Sequence, residues 1–75
     1  NPTSDQFTLD IEGGSNDEVK ISVYDVAGKT LYKEDITRYN GKLSKTIQDA
    51  QFTNKIAYVE VKQNGKSIVK KIIFN

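Results

Sequence analysis

Apolar side chains recur at every second residue in four stretches of this chain: Phe7, Leu9 and Ile11; Val19, Ile21 and Val23; Leu43 and Ile47 about Lys45; and Ala57, Val59 and Val61. A period of two places each set on one face of an extended strand, and no window carries a 3.6-residue period with caps at both ends. An all-β chain follows, with helix confined to a turn near Asp49 to Phe52. Glu12 to Glu18 and Thr37 to Lys42 read as polar surface loops. Asp25-Val26-Ala27-Gly28-Lys29 reads as a hairpin whose Gly28 suits a positive φ, with a third strand from about Lys29 to Ile36. Asn64-Gly65 is the strongest turn signal, suited to a type I′ hairpin. Six or seven short strands in this arrangement predict an antiparallel β-sandwich.

Seventy-five residues, 36% apolar and 28% charged, fit one folded domain over residues 1–75 and no more. With no cysteine and no histidine, the usual thiol nucleophile, imidazole base and zinc ligands are missing. No catalytic residue, metal site or cofactor is therefore expected. Asp10 and Glu12 are a carboxylate pair on the solvent face of a strand, with no cleft signalled around them. Gly13-Gly14 precedes neither a Lys-Ser pair nor a helix start, so it is no phosphate loop. Asp10, Asp17 and Glu18 lack the odd-position spacing of a calcium loop and read as a solvated acidic face.

The net charge of +1 conceals an asymmetry: residues 1–54 hold six basic and nine acidic groups, and residues 55–75 hold five basic and one acidic. Five lysines without arginine make a poor nucleic-acid footprint, so no nucleic-acid partner is expected. No apolar stretch reaches the length of a membrane span and no signal-peptide pattern opens the chain. The piece is expected to be soluble, excised from a longer protein, and not inserted in a membrane.

Tyr24, Tyr32, Tyr39 and Tyr58 are the candidates for a sugar-stacking platform, and Tyr24 has the parity to face away from Val23. Tyrosine on the outer face of strands also serves cross-strand pairing alone. Ser67 to Phe74 is the least ordinary segment, with apolar side chains for both faces and Lys70 and Lys71 at its middle. It reads either as a buried strand whose lysines reach water along their stems, or as a docking edge.

Asn1-Pro2-Thr3-Ser4, the run Val19-Lys20-Ile21-Ser22-Val23-Tyr24-Asp25-Val26-Ala27-Gly28-Lys29, and Lys71-Ile72-Ile73-Phe74 together resemble the type IX secretion C-terminal sorting domains over nearly the whole chain. The resemblance implies an Ig-like β-sandwich that directs proteins of Bacteroidota across the outer membrane and is removed by a sortase. It places the family's motifs on Asn1 and Pro2 at the junction with an N-terminal cargo domain, on Asp25, Gly28 and Lys29 in the first hairpin, and on Lys71, Ile72, Ile73 and Phe74. With Lys70, these hairpin and last-strand residues form the surface expected to meet translocon, shuttle and sortase proteins in the periplasm, on the way to the cell surface. Weak self-association through the last strand is a further expectation. Asp5 stands where the family often has glycine. The family's leucine, glycine and tyrosine before the fifth strand appear as Phe52, Lys55 and Ala57, with Tyr58 displaced by one residue, which points to a divergent subgroup. The competing class is a carbohydrate-binding or spacer module, in which the tyrosines would be the working residues.

Overall fold

The computed structural model describes residues 5–15, 18–37, 40–63 and 65–74. Within them the alternating stretches become six strands: β1 (Gln6–Ser15), β2 (Glu18–Asp25), β3 (Thr30–Thr37), β4 (Asn40–Gln48), β5 (Ile56–Gln63) and β6 (Lys66–Ile73). All neighbours pair antiparallel, β1 with β4 in a sheet of two and β3-β2-β5-β6 in a sheet of four. The expected all-β sandwich is the fold that forms.

Its core lies between the sheets. Phe7, Ile11 and Ile47 from the smaller sheet meet Val19, Ile21, Val23, Leu31, Ala57 and Val59 from the larger, all buried. All three phenylalanines of the chain gather at one end of this core. Phe52 and Phe74 stack with centroids 4.9 Å apart, and Phe7 lies 5.9 Å from the first and 6.4 Å from the second. The anticipated helical turn is a 3₁₀ turn at Ala50–Phe52, capped by the Asp49 side chain accepting from the Gln51 N–H at 2.9 Å. It delivers Phe52 into the core. Asn54 then takes the left-handed conformation at φ 60°, which asparagine tolerates better than most residues. Lys55, the position matched to a family glycine, has no positive φ, so the loss of that glycine leaves the connection unstrained.

Two expected loops turn out to be mostly strand. β1 runs on to Ser15, with a register shift between Glu12 and Ser15 that holds the two glycines. Glycine in a strand often marks such a bulge rather than the strand's end. On the other side, β4 resumes at Asn40, so the polar run beginning there is paired, and its polarity does not signal a loop. Gly65 has the left-handed φ of 73° expected of the last hairpin; its neighbour Asn64 lies outside the described residues.

The sheets are tied together along the β3/β4 margin. Glu34 and Lys45 carry the parity of core residues, opposite Ile21 and Leu9 respectively, and their side chains meet at 2.6 Å. The Tyr32 hydroxyl also donates to Glu34. The hydrogen bond from Lys45, followed by that from Tyr32, holds the Glu34 carboxyl below its usual range. The same bond to Glu34, with burial and the charges of Glu34 and Asp49, pushes Tyr32 up to about 12 from its ordinary 10.0. A depressed carboxylate stabilises the fold above its unfolded pKa and loses that contribution as pH falls through the folded value; a raised phenol loses its contribution as pH rises. Stability is therefore expected to fall on the acid side below the ordinary glutamate range, and on the alkaline side between 10.0 and about 12. Spectrophotometric titration should show a tyrosinate step near 12 that moves toward 10.0 in Glu34→Ala. An alkaline step unchanged by that substitution would sever Tyr32 from the seam.

Candidate functional site

Strand pairing carries the first hairpin and the last strand to the same end of the four-stranded sheet. β2 ends at Asp25, which is level with Ala57 on β5, and Ala57 is level with Ile72 on β6. The motif residues of hairpin and terminal strand, far apart in sequence, are thus joined through two antiparallel steps.

The hairpin is built around Asp25. Its backbone N–H donates to the Lys29 carbonyl at 2.9 Å and its carbonyl accepts from Gly28 at 3.0 Å. Its Oδ1 accepts from the Ala27 and Lys29 N–H groups, both at 2.9 Å, and Gly28 takes φ 88°. A short acidic side chain that satisfies its own turn, followed by a residue free to enter the left-handed region, accounts for both motif positions on folding grounds. Lys29 and Val26 stand exposed at the tip, Val26 by 70%.

Alternation divides the terminal strand between two faces. Lys70 and Ile72 lie opposite Val59 and Ala57 and take the core side, as does Phe74; Lys71 and Ile73 lie opposite Tyr58 and Ile56 and face out. The two adjacent lysines therefore belong to different surfaces. Phe74 is 2% exposed and donates its N–H to the Lys55 carbonyl at 2.8 Å. Its side chain anchors the strand in the core and is not open surface. Ile72 is half-buried, while Ile73 is 53% exposed and Lys70 and Lys71 are exposed. Among the described residues β6 is an edge strand paired only with β5, so the fully buried alternative does not hold. Asn1 and Pro2 lie outside the described residues.

Sequence reasoning named Tyr24 and Tyr58 as candidates but missed their pairing and Ile56. Tyr24 and Tyr58 are level with each other and with Lys71, and their rings stack at 5.8 Å and 26°. Ile56, 41% exposed, sits beside Ile73. The signal for Ile56 was its phase, one residue off the inward set Ala57, Val59 and Val61. The four tyrosines do not make one platform: Tyr32 turns inward, its ring edge-on to Phe52 at 6.2 Å, and Tyr39 lies outside the described residues. Among the described residues no group of three or more acidic side chains could hold a metal ion, and no helix is long and apolar enough to cross a membrane.

No curated protein and no solved structure matches the chain. A protein-family comparison does find a match, to the secretion system C-terminal sorting domain, over residues 1–75. The sandwich, the hairpin and the terminal strand are therefore parts of an export signal, carried by proteins that cross the outer membrane, and the chain belongs to the type IX secretion C-terminal sorting domain family.

Proposed function

We propose that the type IX translocon reads this domain on the outer face of its four-stranded sheet, at the hairpin end. The row Tyr24, Tyr58 and Lys71, flanked by Ile56, Ile73 and Val26, is the surface in question. One observation carries the reading: β6 contributes Lys71 and an exposed Ile73 from a strand whose other edge is unpaired among the described residues, beside further exposed apolar groups. Small domains seldom leave such neighbours uncovered without a partner. Residues 1–75 act as one domain in this scheme. The cargo on the N-terminal side passes through the periplasm, and a sortase removes the signal near Asn1 and Pro2.

A carbohydrate-binding role is the weaker reading, because the two outward tyrosines stack on one another and each covers a face of the other that a sugar would need. Fusion of residues 1–75 to a signal peptide and a reporter in a type IX-competent bacterium tests the proposal. The parent fusion should reach the medium or cell surface, and Lys71→Glu with Ile73→Asp should hold at least about 90% of it in the periplasm, roughly a tenfold loss for a charge and an anchor at one interface. Circular dichroism must first show both proteins folded. Unchanged export of the folded double variant would refute the site, and glycan binding lost in Tyr24→Ala would favour the other class.

A further inference from the structure

The two sheets are unequal, and the difference is concentrated on one side. Strands within a sheet lie about 4.8 Å apart, so a sheet of two covers roughly half of a sheet of four. Lys45 with Glu34, and the Gln51 amide donating to the Leu31 carbonyl at 3.3 Å, seat the smaller sheet's end of the molecule over β3. Among the described residues the core side of β6 is left without a strand above it. A groove of about 690 Å³ runs there, between Thr8–Ile11 of β1 and Val61, Lys66, Ile68 and Lys70.

Both walls of this groove are strand edges. β1 is paired only with β4 and β6 only with β5 among the described residues. The floor repeats along β6 with a period of two: Lys66, Ile68 and Lys70 are level with Gln63, Val61 and Val59 and share the core side. Ile68 is 67% exposed, an isoleucine of core parity with no cover. Leu9 and Val61, partly buried, supply further apolar surface.

We propose that this seam takes one extended strand from another protein, whose groove-facing side chains run acidic, apolar, acidic at alternate residues. The strand pairs with the open edge of β1 and becomes the third member of the smaller sheet. Its central apolar group covers Ile68 and Val61, and its two carboxylates meet Lys66 and Lys70. The lining sets Lys66 and Lys70 against the single carboxylate of Asp10, so it is net basic, and charge decides the kind of occupant. A second copy offers no suitable strand: its β6 would set lysine against lysine, and none of its other edge strands, β1, β3 and β4, runs acidic, apolar, acidic at alternate residues. The seam is distinct from the outer face that carries Lys71, so this inference stands apart from the export reading.

Titration of the isotope-labelled chain with the peptide Thr-Glu-Thr-Val-Thr-Glu-Thr, followed by amide shifts and amide exchange, is the test. The peptide should perturb Thr8 to Ile11 and Lys66 to Lys70, slow the exchange of β1 edge amides, and lose affinity as salt rises. The same peptide with lysine for glutamate should bind at least about tenfold more weakly. Lys66→Glu with Lys70→Glu, both exposed positions, should reverse that preference while circular dichroism stays unchanged. No response to the acidic peptide at millimolar concentration would overturn the inference. So would equal binding of both peptides, a response confined to the Tyr24 face, or dimerisation that protects the same β1 amides without peptide.

Discussion

Phe74→Ala is expected to lower the unfolding free energy by about 3–5 kcal/mol, the usual range for removing a buried phenylalanine, and to leave little of the cooperative transition. The ring is 2% exposed, stacked on Phe52 and within reach of Phe7, so its loss opens a cavity bounded by aromatic faces. It also holds β6 in place: the Phe74 N–H bonds to Lys55 on the connection that delivers Phe52. Total stability of native domains is typically ~5–15 kcal/mol, and a chain of this length sits toward the lower part of it. Phe52→Ala should cost a similar amount. Urea unfolding followed by circular dichroism measures the parent and the two single variants. A loss below about 1 kcal/mol for Phe74→Ala would mean that the terminal strand is not anchored by this ring.

Asp25→Ala should be the costliest substitution in the first hairpin, at about 2 kcal/mol, because two backbone donors lose their acceptor and each such bond contributes about 1 kcal/mol. Asp25→Asn keeps Oδ1 in place and should stay within about 0.5 kcal/mol of the parent. Gly28→Ala should lose about 1–2 kcal/mol from left-handed strain alone, since a Cβ there meets nothing within 4 Å. The pair at position 25 separates folding from recognition. Export that survives in Asp25→Asn assigns the carboxylate to the turn; export that fails at unchanged stability assigns its charge to a partner. Equal stability of Asp25→Ala and the parent would refute the hydrogen-bonding account of this motif.

Much of the fold was legible because side-chain period is a direct geometric consequence of an extended backbone. Val19, Ile21, Val23, Ala57 and Val59 are all buried where alternation put them. Glycine and polar runs misled at Glu12 to Ser15 and at Asn40 to Lys42, since polar paired strands and loops share a composition and differ only in long-range hydrogen bonding. The site was legible in its parts and not in its assembly. Lys70 and Lys71 are neighbours in the chain and face opposite ways, a split that parity alone would have revealed. Phe74 offered no sequence cue to separate a core ring from an exposed one, because its fate depends on Phe52 and Phe7 meeting it. The stack of Tyr24 on Tyr58 required the register between β2 and β5, which local pattern does not encode.

If the proposed row is the address, the dependence of Lys71 and Ile73 on a seated Phe74 makes that address conditional. Tyr24, Tyr58 and Lys71 come from three strands and line up only through the β2–β5–β6 ladder, so no contiguous stretch of the chain can imitate them. On the proposed reading, a receptor that grips this row would inspect the finished product: a copy with its terminal ring displaced would present scattered groups and be refused, and proofreading of the passenger's tail would be built into the act of recognition.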